Sequence, residues 1–299
     1  MKDTFYNEIK YKLIENETYS RIKDYSKEKH RVEVYYEIGK LLSEAGKHYG
    51  EGIIKQYSIK LSNELGKKYN VSSLKYMRQF YVFLKSQPLA DFSLSWSHYI
   101  ELLPLKDINK INYYINLCIK NNLSRNELRK RIKLKEYERL DEDTKLKIIN
   151  KEETNIKDIV PNPIIINNSL NKEIFNEKAL QLLILENIKD FLLELGDGYS
   201  YISNEYKIKI DNSYNYIDLL LFNIKYNCYV VVELKTTKIK KEHIGQIEVY
   251  MDYIDKNLRT IYQCNTIGII ISKENDRFII NYIKDKNIIS REYLIKVNN

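Results

Sequence analysis

Cysteine, proline and glycine are scarce in this 299-residue chain, which has 3 Cys, 4 Pro and 9 Gly. The thiols at Cys118, Cys228 and Cys264 are scattered and odd in number. They exclude a disulfide framework, lack the spacing of structural zinc ligands, and fit a reducing cytoplasm as the expected location. The low glycine and proline content excludes collagen-like and low-complexity chains. No run approaches the ~20 apolar residues of a membrane span. The opening Met1-Lys2-Asp3-Thr4-Phe5-Tyr6-Asn7-Glu8 lacks the apolar core of a signal peptide, so no membrane partner is expected. What is present is 43% hydrophobic and 30% charged residues, the balance of a soluble globular protein long enough for two cores. The 27 tyrosines accompany much Lys, Asn and Ile, a bias toward A- and T-rich coding, so raw counts of Tyr and Lys are discounted.

An acidic excess is also lacking, but only in one half. The net charge is +8, yet residues 1–150 hold about 29 Lys and Arg against 20 Asp and Glu, whereas residues 151–299 hold about 20 against 21. Compositional bias would affect both halves alike. The asymmetry therefore points to a first half that attracts a polyanion. That half reads as helices: Ile22 to Gly46, Ile53 to Leu65, a third capped by Ser72 or Ser73 and running to Leu84, then a break at Pro88. Further helices open near Leu94, run from Lys110 to Asn121, and follow a Ser124 cap to Lys135. Short helices with tight loops suggest a helix-turn-helix-like bundle over residues 1–150. Arg78 and the dense basic run Arg125, Arg129, Lys130, Arg131 and Lys133 are candidate phosphate contacts, with a solvated basic face as the alternative. Trp96, Tyr35, Tyr36 and Phe80 read as core aromatics, and His98 as a capping or hydrogen-bonding residue.

The polar segment 151–170, with Pro161 and Pro163, reads as a linker. A strongly apolar helix is expected from about Asn171 to Leu195. Strands follow at Tyr199 to Ile210, about Tyr216 to Phe222, and Cys228 to Lys235, then a helix from Lys241 to Ile254, and final strands at Asn265 to Ser272 and Arg277 to Ile283. Two of these strands carry charge where burial should forbid it. Asp218 interrupts Tyr216-Ile217-Asp218-Leu219-Leu220-Leu221-Phe222, and Glu233 and Lys235 end the run Val230-Val231-Val232. A buried carboxylate costs several kcal/mol unless it is paired or binds a cation. Glu233 and Lys235 share one face by strand alternation, and Asp218 on the neighbouring strand can join them. Two carboxylates, with the backbone carbonyl of Leu234, offer hard oxygen ligands for Mg²⁺, and Mn²⁺ can substitute. The lysine can hold an attacking water or a phosphate.

This pattern, Asp218 followed by Glu233-Leu234-Lys235, resembles the PD-(D/E)XK nuclease core, with Ile217 where a proline is usual. Gln246-Ile247-Glu248-Val249-Tyr250 resembles the Q-x-x-x-Y helix motif of a subset of that superfamily. In the first half, Tyr35-Tyr36-Glu37-Ile38-Gly39, Leu74-Lys75-Tyr76-Met77-Arg78-Gln79-Phe80, Leu94-Ser95-Trp96-Ser97-His98 and Leu123-Ser124-Arg125-Asn126-Glu127-Leu128 are similar to successive blocks of the helical domain of YhcG-type proteins. The resemblance implies an α+β chain. An all-α domain at 1–150 and the linker at 151–170 lead to an α/β restriction-endonuclease-like domain with a mixed sheet at 171–299. It further implies catalytic roles for Asp218, Glu233, Lys235, Gln246 and Tyr250. It also implies a helix glutamate near the metal, with Glu177 as the candidate, Glu186 as the alternative, and Gln181 where another acid is expected.

The function expected on these grounds is metal-dependent hydrolysis of DNA, in bacterial defence, mobile-element biology or DNA repair. The competing expectation is a DNA-binding or protein-interaction scaffold whose nuclease fold cuts weakly or not at all. The helical half is open to DNA or to a protein partner. Nucleases of this kind often pair to cut both strands, so a homodimer is one expectation.

Overall fold

The computed structural model describes residues 2–20, 27–50, 52–85, 92–168, 172–283 and 286–297. The expected helix start at Ile22, the break at Pro88 and the domain start at Asn171 lie outside the described residues. The chain divides into two compact units, Met1–Lys133 and Leu134–Asn299.

The first unit is all helix: α1 (Lys2–Ser20), α2 (Lys27–Tyr49), α3 (Gly52–Leu65), α4 (Val71–Leu84), α5 (Trp96–Leu102), α6 (Ile108–Asn121) and α7 (Arg125–Lys133). α1 has little amphipathic pattern to announce it, yet Tyr6, Ile9 and Leu13 are buried with Ile38, Leu42 and Tyr57. Gly46 does not stop α2; the helix runs on to Tyr49 and ends at Gly50, whose φ of +78° only glycine adopts cheaply. Asn70, rather than Ser72 or Ser73, caps α4 by accepting from the Ser73 amide at 3.0 Å. Ser124 caps α7 in a reciprocal box with Glu127. The aromatics pack on one another: Trp96 stands edge-on to Tyr35 at 4.9 Å and to Phe80 at 5.4 Å. His98 uses both ring nitrogens, one with Ser95 and one with the Leu123 carbonyl.

Gly39 sets the approach of α2 to α4. A Cβ there would stand 2.1 Å from the Met77 carbonyl oxygen, a backbone atom that cannot swing aside. Gly39→Ala is therefore expected to cost about 3 kcal/mol and to lower the melting point by roughly 10 °C. Gly46→Ala on the same helix meets only the Arg78 guanidinium at an ordinary 3.7 Å. It should be neutral or stabilise by up to ~1 kcal/mol through helix propensity. Thermal denaturation of the two variants checks the pair.

The second unit opens with α8 (Glu142–Ile149) and α9 (Ile156–Ile159), followed by β1 (Ile164–Asn168). The expected linker 151–170 thus supplies a sheet strand. Its alternation of buried and half-buried residues over Ile164-Ile165-Ile166 is that of a strand, and its polar flanks hid it. Next come α10 (Glu177–Glu186), α11 (Ile188–Leu195), β2 (Tyr199–Ile210), β3 (Ser213–Asn223), β4 (Cys228–Lys238), α12 (Lys241–Asn257), β5 (Ile267–Glu274), α13 (Arg277–Ile283) and β6 (Ile288–Val297). The single apolar helix expected to Leu195 is broken at Asn187. Arg277–Ile283 is a helix, not a strand. The Asp276 carboxylate accepts from the Phe278 and Ile279 amides, and Ile279 and Ile283, one turn apart, are buried.

The six strands form one mixed sheet in the order β1-β6-β5-β4-β3-β2. β4 pairs parallel with β5 and antiparallel with β3. One face packs on α10 and α11 through Leu180, Leu183, Ile184 and Phe191, the other on α12 and α13 through Ile244, Ile247, Ile254 and Ile283. The edge strand β1 is tied down by Glu194, which accepts from the Ile165 amide at 2.9 Å and pairs with the part-buried Arg139. The chain is therefore α+β, a helical region followed by a mixed sheet with helices on both faces. Among the described residues no helix is long and apolar enough to cross a membrane.

Candidate active site

The site forms where one ladder opens. The β3–β4 pairing ends at Leu219 opposite Val232, whereas the β4–β5 pairing continues through Lys235. Beyond Val232 the β4 backbone has lost its β3 neighbour, and the Leu234 amide donates instead to the Asp218 carboxylate at 2.8 Å. On β3 the residues on either side of Asp218 belong to different cores: Ile217 packs on the α12 side and Leu219 on the α10 side. Opposite on β2 stands Glu205, whose φ of +48° is left-handed, a strained backbone for a non-glycine residue.

Val231 is buried in the α12-side core, and Glu233 and Lys235 share its face. Both are deeply buried, at 2% and 7% exposure. The Lys235 ammonium lies 3.3 Å from Glu233 Oε2 and 3.5 Å from Glu177 Oε2. Glu177 is the first residue of α10, so the start of that helix reaches the site from the other layer. Glu186, the alternative, pairs with Lys172 instead. Gln181, found where an acid was expected, is buried and donates to the Asp218 backbone carbonyl at 2.8 Å. It holds the strand that carries the aspartate.

The electrostatics follow from this crowding. Burial, then the nearby Asp218 charge, pushes the Glu233 carboxyl up to about 8 against the pull of Lys235. Burial also raises Asp218, opposed by the Leu234 amide and Lys235. Burial draws the Lys235 ammonium down, but Glu233, Glu177 and Asp218 together carry it above its usual value. On α12, Gln246 donates to the Tyr250 hydroxyl at 2.9 Å. Tyr250 is buried, and burial raises its phenol. His243 lies in the first turn of the same helix, where its ring accepts from the Lys240 amide. Burial and then Lys235 lower its pKa. Helical spacing carries the signal for it, because 243, 246 and 250 fall on one helical stripe.

Beside the half-buried Asp218, the buried Glu233 and Lys235 leave an acceptor without a partner: Glu233 Oε1 is fully buried and unbonded. An orphaned carboxylate oxygen there fits a cation. Among the described residues no three His, Cys, Asp or Glu side chains form a ready metal cage. A two-carboxylate set still suits Mg²⁺, which keeps several waters and takes further oxygens from a phosphate. The Leu234 amide holds the Asp218 carboxylate that belongs to this set.

The basic residues of the first unit do not all point outward. Arg131 is only 9% exposed, so it is withdrawn from the candidate phosphate contacts; α7 turns Leu128 and Arg131, three apart, toward the interior. Arg125 and Arg129 both bind Glu101 at 2.7 Å. Lys130 and Lys133 are exposed, and Arg78 is half-buried against Gly46.

A family model described as the YhcG PDDEXK nuclease domain matches residues 157–298, and one described as the DUF1016 N-terminal domain matches residues 12–139. The chain is 24% identical over 284 residues to "Putative nuclease YhcG" of Escherichia coli (strain K12), covering 80% of this chain and 76% of that protein. Among solved structures it resembles a repair endonuclease from Pyrococcus abyssi, with 22% identity, a TM-score of 0.31, and 41% of this chain and 49% of that one covered. It also resembles the EndoMS–dsDNA2 complex, with 16% identity, a TM-score of 0.31, and coverage of 42% and 48%. The chain thus spans about half the length of each of these solved relatives.

Proposed function

The chain belongs to the YhcG-type PD-(D/E)XK nuclease family, and on that premise we propose that it is a Mg²⁺-dependent endodeoxyribonuclease. The observation that carries this reading is the orphaned Glu233 oxygen, buried beside Lys235 where the β3–β4 ladder opens at Asp218. Asp218 and Glu233 hold the cation in this reading. Bound there, it supplies a Lewis acid at a phosphate oxygen and lowers the pKa of a water. Lys235 is the proton-rich donor of the site. With its ammonium fixed by two carboxylates, it orients the water or steadies the charge that grows on the phosphate. Glu177 holds Lys235 from the helix side. Gln181 and the Leu234 amide fix Asp218 in place, and Gln246 and Tyr250, bonded to each other on α12, are assigned to steadying the lysine or the DNA backbone. The setting we propose is cytoplasmic and bacterial, in defence, mobile-element biology or DNA repair.

A second reading, a DNA-binding or protein-interaction scaffold with little cleavage, draws on the basic first unit. Incubation with supercoiled and linear DNA separates the two. We expect nicking and cutting with Mg²⁺ or Mn²⁺ and none with chelator. DNA retained in a gel shift but never cut under any divalent ion would favour the scaffold.

A further inference from the structure

The β2–β3 hairpin runs on past the point where β4 leaves it. β4 pairs with β3 only from Leu219 to Asn223, whereas β2 and β3 stay paired down to Ile210 opposite Ser213. The projecting arm has two different faces. Tyr206, Ile208, Ile210 and Ile217 pack on the α12-side core. The other face carries the cross-strand pairs Lys207 with Tyr216 and Lys209 with Tyr214. Both tyrosines are more than half exposed, at 57% for Tyr214 and 52% for Tyr216. The Lys207 ammonium lies 3.8 Å from the Tyr214 ring centre. A solvent face of a hairpin needs no tyrosines for stability, and here two stand in line beside two lysines.

We propose that this face is a binding platform for unpaired nucleic acid, which it delivers to the cutting site. The proposal rests on the nuclease reading and deepens it by naming the substrate class. Aromatic rings along a strand offer stacking surfaces that accept any base, and lysines between them neutralise the sugar–phosphate chain. The placement suits this use. Tyr216 is two residues from Asp218 along the same strand, about 7 Å at the rise of an extended chain, and Tyr214 is about 14 Å away. A base stacked on Tyr216 therefore brings its own or its neighbour's phosphate close to Asp218 on the face away from α12, beside the open end of the ladder across which Glu233 and Lys235 lie. In a duplex the base faces are already stacked and cannot meet the rings. A duplex is held through its phosphates, for which two lysines are a small anchor. A protein partner would find a wetted lysine face with little apolar area besides the two rings.

The test uses the full-length chain carrying Asp218→Asn, which leaves the hairpin as it is and stops cutting during the measurement. Fluorescence anisotropy without divalent ion compares a 5′-labelled single strand with the same sequence as a blunt duplex. Adding Tyr214→Ala and Tyr216→Ala should weaken single-strand binding by at least about tenfold and duplex binding by less than about threefold. Tyr214→Phe with Tyr216→Phe keeps the rings and should bind single strands like the parent, which also reports that the hairpin still folds. Single-strand affinity unchanged by the alanines, or an equal loss on both substrates, overturns the proposal. Cutting by the otherwise wild-type chain separates the two claims. A chain that never cuts yet loses single-strand binding on the alanine changes sinks the nuclease reading alone. A chain that cuts but binds single strands without regard to the tyrosines sinks the platform alone.

Discussion

Lys235→Ala is expected to lower the rate of DNA cleavage by roughly 10³-fold, the scale of removing a principal electrostatic or proton-donating group from an active site. The lysine is buried at 7% exposure and lies within 3.5 Å of two carboxylates, so no water or neighbouring lysine takes its place. Removing it also strips Glu233 of its counter-charge, which strengthens the carboxyl's hold on its proton and weakens its grip on a cation. Lys235→Arg should not rescue, because a planar fork does not replace a compact ammonium between two acids. Single-turnover cleavage of a labelled substrate at saturating Mg²⁺ measures the loss, and circular dichroism checks that the sheet persists. A loss of less than tenfold would remove Lys235 from the chemistry.

Glu233→Gln is expected to act in opposite directions on activity and stability. Cleavage should fall below detection, because Gln cannot serve as an anionic ligand. The cation-free fold should become more stable at alkaline pH. The sign follows from the raised carboxyl. The folded protein binds this proton up to about pH 8, whereas the unfolded chain releases it near the ordinary 4.5. Stability from this group is therefore full below about 4.5 and is lost as pH rises toward 8. The buried pair with Lys235 softens the penalty, and the gain on substitution should be about 2 kcal/mol above pH 8 and near zero at pH 5. Thermal melts with chelator at the two pH values measure it. Equal melting shifts at both would contradict the buried ionised carboxylate. An active site that trades stability for function is a common pattern.

The convergence of three charged residues is more legible in the sequence than the bounds of several elements are. Asp218, Glu233 and Lys235 were visible because a charge inside a Leu- and Val-rich run has to be explained, and strand alternation placed two of them on one face. Gln246 and Tyr250 stand out only through the resemblance to the Q-x-x-x-Y motif, and the hydrogen bond between them is that of residues one turn apart. Other features depend on tertiary contacts that no local pattern records. β1 lay inside a polar stretch and became a strand because β6 offers it an edge. Arg277–Ile283 has strand-like composition, and an aspartate cap with buried Ile279 and Ile283 decided for helix. α1 carries too weak a stripe to announce itself, and its burial comes from α2 and α3. A basic run does not say which of its members turns inward, and Arg131 did. Gln181 stands in the sequence only as a missing acid, and its use as an amide that braces the Asp218 carbonyl depends on the fold.

Mn²⁺ binding followed by calorimetry, in the wild-type chain and in Asp218→Asn, probes the claim that one cation is held jointly by the two strands. At pH 8 we expect a single site in the wild type and a loss of affinity of about 100-fold or more in the variant. Undiminished binding in Asp218→Asn would show that the aspartate and Glu233 do not share an ion.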